Sequence, residues 1–185
     1  AGFVERMAET ISHLRIFARD SPEAPSVAVD LNEVVESSLK MIGMQLRNQG
    51  IEISLELTPD LPAIDGQPFQ LEQVFLNLLA NGRDAVNERA DDGDKRLVVR
   101  TRRGGNGQTE VVAEVEDNGV GVAEEHLAHL FDPFYTTKSE EEGTGLGLSI
   151  SYAIVRNHAG RIECTSQVGQ GTLFRLQLPV SEPAG

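Results

Sequence analysis

Gly143-Thr144-Gly145-Leu146-Gly147-Leu148-Ser149 sets three glycines at alternate positions directly before an apolar run over residues 150–155. Glycine has no Cβ, so the main chain at such a turn can come close to a chain of phosphates. The unpaired N–H groups and positive dipole end of a helix starting there favour negative charge. The same residues also suit an ordinary helix entry, so the segment needs corroboration from elsewhere in the chain.

Upstream, Glu116-Asp117-Asn118-Gly119-Val120-Gly121-Val122 follows a strand-like run over residues 111–115. An ionised Asp carboxylate at a strand end only accepts hydrogen bonds, which suits an exocyclic amine such as adenine N6. Gly119 and Gly121 would let a flat ring lie against bare backbone, although Asp-Asn-Gly is equally strong β-turn chemistry. Neither segment is a G-x-x-x-x-G-K-[ST] loop, and neither has the G-x-G-x-x-G spacing of a dinucleotide-binding βαβ unit.

Between residues 68 and 88, Phe69, Leu71, Val74, Phe75, Leu78, Leu79, Ala85 and Val86 recur at helical spacing. Asn77 and Asn81, four apart, project from one face of that helix. Oxygen donors so placed suit a hard cation such as Mg²⁺ shared with substrate phosphates, and a pair of satisfied packing amides is the alternative.

With these segments in hand, a resemblance emerges. Asn77-Leu78-Leu79-Ala80-Asn81-Gly82-Arg83-Asp84-Ala85 resembles the N box of sensor histidine kinases, and Asp117-Asn118-Gly119-Val120-Gly121 their G1 box. Phe131-Asp132-Pro133-Phe134-Tyr135-Thr136-Thr137-Lys138 is similar to the F box, residues 143–148 to the G2 box, and Gly169-Gln170-Gly171-Thr172 to the terminal Gly box. The five stand in family order. The superfamily is that of gyrase, Hsp90, histidine kinase and MutL ATPases, and the N and F boxes most resemble the nitrogen-regulatory and dicarboxylate-sensor kinases.

The resemblance implies a Bergerat-type ATP-binding fold and roles for individual residues. Asp117 would bind adenine N6, with Gly119 and Gly121 giving the base room and Thr172 closing the pocket. Asn81 would coordinate Mg²⁺, with Asn77 beside it on the ion or the phosphates. Lys138 would reach the terminal phosphate from a mobile lid. Gly143, Thr144, Gly145, Leu146, Gly147 and Leu148 would line the phosphates, and Phe131, Thr136 and Thr137 would complete the nucleotide site. Asn77 and Lys138 are the implied catalytic pair. Asn77 stands where the superfamily's hydrolases carry a water-activating Glu, and an amide cannot act as a general base.

The implied activity is transfer of the ATP γ-phosphoryl group to a histidine on a helical dimerisation domain. A response regulator would be the next partner and a homodimer the full-length form. An ATP-driven conformational clamp and a non-catalytic nucleotide module are the alternatives. Two departures stand out: Gly82 replaces the usual Ala, at about 1 kcal/mol of helix propensity, and Val120 replaces a common Pro.

Composition agrees. The 185 residues, 39% hydrophobic, suit one core plus an appendage, and no apolar run has transmembrane length. A formal charge of -13 argues against a nucleic-acid partner. No membrane contact is expected, and the expected location is cytoplasmic. The single Cys164 reads as a small core residue of a reduced compartment. His126 and His129 read as exposed helix residues without companions for a metal, and His158 as a helix-end residue next to a capping Gly160.

The expected organisation is a helix over 3–19, with Val4, Met7, Ile11, Leu14 and Phe17 on one stripe. It would be the end of the dimerisation hairpin (1–20), followed by a linker (21–29), the catalytic and ATP-binding domain (30–180) and a tail (181–185). His13, followed by Leu14-Arg15-Ile16, lacks the acidic neighbour of a phosphoacceptor. Within the domain, Asp30 should cap a helix over 31–48. Strands are expected over 51–57, 63–65, 96–103, 110–116, 161–166 and 172–179. Helices are expected over 124–130 and up to 159, and a hairpin loop over 104–107. The sum is an α+β two-layer sandwich, a mixed sheet with helices on one face, with a lid over 132–145.

Overall fold

A computed structural model describes residues 26–89, 93–104, 109–138 and 144–181. The expected helix over 3–19, His13, most of the linker, residues 105–107 of the hairpin loop and residues 139–143 of the lid, Gly143 included, lie outside the described residues.

Five strands make the main sheet: β2 (Ile51–Leu57), β4 (Lys95–Gly104), β5 (Glu110–Asp117), β6 (Arg161–Gln167) and β7 (Gly171–Pro179). Their spatial order is β2-β4-β5-β7-β6, with β2 and β4 parallel and the other neighbours antiparallel. Two short strands that pair apart, β1 (Val27–Val29) and β3 (Ile64–Gly66), form a separate antiparallel ribbon. β1 falls at the end of the stretch expected to be a linker over 21–29.

Helices α1 (Leu31–Asn48), α2 (Pro68–Asn87) and α4 (Gly147–Asn157) cover one face, and a single turn, α3 (Glu124–Leu127), precedes the F box. The expected α3 is longer, but its last residues fold into turns. Asp30 caps α1 by accepting the Asn32 N–H at 2.8 Å. Pro68 opens α2, its fixed φ suiting the first turn. Gln67, the residue before it, makes no side-chain cap; instead its N–H donates to His158 Nε2 at 3.0 Å. His158 donates from Nδ1 to Ile154 O at 2.8 Å, so one buried imidazole ties the start of α2 to the end of α4.

Alternation decides the two faces of the sheet. Leu97, Val99, Val111, Ala113, Val115, Phe174, Leu176 and Leu178 point into the core, where Leu71, Val74, Phe75, Leu78, Leu79, Ile150 and Ile154 of the helices meet them. Cys164 packs at the edge of this core, and burial, with the Asp117 charge adding to it, pushes its thiol up to about 12. On the outer face, Glu56, Arg100, Glu114, Arg175 and Glu163 lie in register across all five strands and alternate in sign. This satisfies an open sheet face with ion pairs instead of apolar cover.

Candidate nucleotide-binding site

α2 collects the motifs. Near its middle, Asn77 Nδ2 donates to Gly147 O at 3.0 Å and to Ser151 Oγ at 3.2 Å, joining the N box to the start of α4. A turn and a half further on, Gly82 faces the sheet, where an added methyl would stand 3.4 Å from Asp117 Cβ. Val120 N–H donates to Ala85 O at 3.1 Å, so the loop after β5 rests on the same helix. Lys138 Nζ lies 2.5 Å from Asp84 Oδ2, and Arg83 holds the other oxygen of that carboxylate. Segments far apart in sequence thus converge on one helix face.

Asp117 ends β5 on the inner face, 6% exposed, in register with Leu97 on one side and Thr172 on the other. Its Oδ1 accepts the Gly119 N–H at 2.8 Å. Burial raises its carboxyl to about 6, against the pull of backbone N–H groups of Gly119 and Thr172, while Glu116 adds to the rise. A carboxylate in so dry a place is a strong acceptor for an amine donor.

Gly121 turns at φ +70° with Gln167 O packed where a Cβ would be, so the loop after β5 closes against the β6–β7 turn only because the residue is glycine. Ser166, which sequence reading passed over, organises that corner. Its Oγ accepts the Val122 N–H at 2.8 Å, donates to Gly171 O at 2.7 Å and lies 3.0 Å from Thr172 Oγ1. Since its one proton goes to Gly171 O, Thr172 must be the donor between the two hydroxyls. A lone serine in a strand offers no signal of this.

α4 starts at Gly147 behind Leu146, whose side chain cannot cap it. The first-turn amides are therefore available to an anion. Gly145, at φ +65°, accepts the Phe134 N–H at 2.9 Å, which stitches the F box to the G2 box. Thr144 is exposed, Gly145, Gly147 and Leu148 are half-buried and Leu146 is buried. Phe131 packs against the core and meets Tyr152 with ring centroids 5.4 Å apart. Thr136 accepts the Lys138 N–H at 3.1 Å, turning the chain back at Thr137. Lys138 itself pairs with Asp84, a partner that spacing alone does not suggest.

His129 is exposed, as expected, but it is not helical, and His126 is helical but not exposed. His126 is partly buried and its Nδ1 lies 2.7 Å from the Tyr135 hydroxyl, while His129 falls beyond α3 and its Nδ1 lies 2.8 Å from Asp132 Oδ2. Tyr135 and Asp132 sit in the turns that follow α3 and draw both rings back onto the F box. Among the described residues no group of three or more His, Cys, Asp or Glu could hold a metal ion.

An uncapped helix start, a buried carboxylate at a strand end and paired asparagines on one helix are the features of an ATP-binding domain of the kinase, gyrase and Hsp90 type. Residues 66–182 match the family described as histidine kinase-, DNA gyrase B- and HSP90-like ATPase. The chain belongs to that family. It is 38% identical over 184 residues to the two-component sensor PprA of Pseudomonas aeruginosa, covering 98% of this chain and 19% of that protein. It is 35% identical over 189 residues to the sensory histidine kinase/phosphatase NtrB of Rhizobium leguminosarum, covering 97% of this chain and 48% of that one. Against the nucleotide-free catalytic domain of the histidine kinase ThkA the TM-score is 0.72, at 24% identity, covering 86% of this chain and all of that one. The chain therefore corresponds to the ATP-binding catalytic part of much longer sensor kinases.

Proposed function

We propose that this chain holds ATP and presents its γ-phosphoryl group to a histidine on a separate helical dimerisation domain. A histidine ring nitrogen attacks the γ-phosphorus, the bond to the bridging oxygen breaks, and ADP leaves. The observation that carries this reading is the bond from Asn77 to Gly147 O, because it sets the N box directly against the uncapped start of α4.

Asp117 accepts from adenine N6, Thr172 and Gly121 bound the base, and the amides from Gly145 to Leu148 take the phosphates. Lys138 leaves Asp84 for the terminal phosphate. The site fits Mg²⁺: the carboxamide oxygens of Asn81 and Asn77 would hold it, and Asn77 Oδ1 has no hydrogen-bond partner among the described residues. The ion would neutralise phosphate charge, which matters in a protein of net charge -13. Position 77 carries no carboxylate to activate water, so ATP is kept for an external nucleophile.

In the longer protein the partners are the dimerisation domain, a second copy of the chain and a response regulator, with no nucleic acid and no membrane contact by this segment, in the cytoplasm. No helix among the described residues is long and apolar enough to cross a membrane. The test is incubation with γ-labelled ATP, alone and with a histidine-bearing helical hairpin of a related kinase. Acid-labile, base-stable label on the hairpin alone supports the reading. Label on this chain, lost on His13→Ala, overturns it.

A further inference from the structure

Asn77 turns its amide nitrogen toward two oxygens of α4, Gly147 O at 3.0 Å and Ser151 Oγ at 3.2 Å. Ser151 is fully buried, and its own proton goes to Gly147 O at 2.9 Å. Turning the carboxamide over would set Oδ1 against Gly147 O, two acceptors with no proton between them, and would strip Ser151 Oγ of its donor. Only one orientation is therefore compatible with α4, the one in which Nδ2 faces the Gly147 carbonyl and Ser151 Oγ, and Oδ1 lies beside the Gly147 Cα instead. Among the described residues that oxygen has no partner.

We infer that Ser151 is a positioning residue: with the Gly147 carbonyl, it locks the Asn77 carboxamide so that an oxygen, and never an N–H, faces the phosphate end of bound ATP. The Gly147 carbonyl, which can only accept, also disfavours an ionised Asp carboxylate in the place of the Asn77 amide nitrogen. The inference rests on the reading of Asn77 as a phosphate-side group. It extends that reading to Ser151, a residue outside the five boxes.

Calorimetry with a non-hydrolysable ATP analogue in magnesium chloride, and separately with adenosine, distinguishes positioning from general packing. Ser151→Ala should weaken the analogue about three- to tenfold, the equivalent of one hydrogen bond, and leave adenosine unchanged. Ser151→Ala with unchanged analogue affinity, or with equal losses for both ligands, overturns the inference. Asn77→Ala is the control. If it too leaves the analogue unaffected, the phosphate-side reading of Asn77 fails as well; if it weakens the analogue while Ser151→Ala does not, only the positioning role fails.

Discussion

The ammonium of Lys138 lies 2.5 Å from the Asp84 carboxylate, so the basic group expected at the terminal phosphate is held by α2. Both side chains are about a quarter exposed, and such pairs contribute about 1 kcal/mol or less. A phosphate can therefore displace Asp84 at small cost. Asp84→Asn should remove that competition and tighten ATP-analogue binding by up to about fivefold. Lys138→Ala should weaken it whether or not Asp84 is present. Titration calorimetry on the two single variants and the double variant checks this, and weaker binding by Asp84→Asn would show that the pair supports the bound state instead.

The outer sheet face gives a stability prediction with a definite sign. Glu114 Oε1 accepts from Arg175 Nε at 2.8 Å and Arg102 NH2 at 3.2 Å. Burial alone would raise this carboxyl, but the hydrogen bonds and charges of Arg175 and Arg102 outweigh it and hold it below its ordinary value. A depressed carboxylate stabilises the fold above its unfolded-state value and loses that contribution as pH falls through the folded one. Glu114→Gln should thus cost about 1 to 2 kcal/mol at pH 7, and the difference from the wild type should shrink toward zero in acid below pH 4. Urea unfolding at several pH values measures it.

Gly82 shows a propensity argument overturned by packing. In a helix interior, Gly→Ala ordinarily adds about 1 kcal/mol of stability. Here a methyl at position 82 would stand 2.7 Å from Leu97 Cδ2, and Leu97 is fully buried. Overpacking of that kind costs about 1 to 3 kcal/mol, so Gly82→Ala should come out neutral to destabilising. Adding Leu97→Val removes the offending carbon and should recover most of the loss. Denaturant midpoints of the three variants test the coupling.

The same residue marks where sequence reading stops. Helix periodicity placed α1 and α2 to within a residue, and alternation placed the long strands, because each buries one face along its whole length. Asp117, Asn77 and the glycine turns stand out as candidates because their chemistry is local. Three things do not. The pairing of Lys138 with Asp84 depends on how the chain after α3 returns to α2. The role of Ser166 depends on the loop after β5 meeting the ends of β6 and β7. The tight packing at Gly82 depends on a leucine 15 residues away in a neighbouring strand.

Asp117 ties stability and recognition to one proton. Its carboxyl titrates near 6 in the fold against an ordinary 3.8, a rise of about two units. Because the folded value is the higher one, the contribution to stability is fully present below the unfolded value and is lost as pH rises through about 6. The loss is on the order of 3 kcal/mol. Above that pH the fold holds a buried carboxylate at a cost, and the charged form is the one that can accept from an adenine amine with both oxygens. Adenosine, which has no phosphates to titrate, should therefore bind more tightly as pH rises from 5 to 7 and level off beyond. Asp117→Asn should abolish the pH dependence of both properties: its stability curve loses the decline between pH 4 and pH 6. Its adenosine affinity lies below that of the wild type by the cost of an unpaired group, about 1 to 3 kcal/mol, at pH 7, and the gap narrows toward pH 5. Adenosine affinity in the wild type that is flat across pH 5 to 7 would place the base away from Asp117.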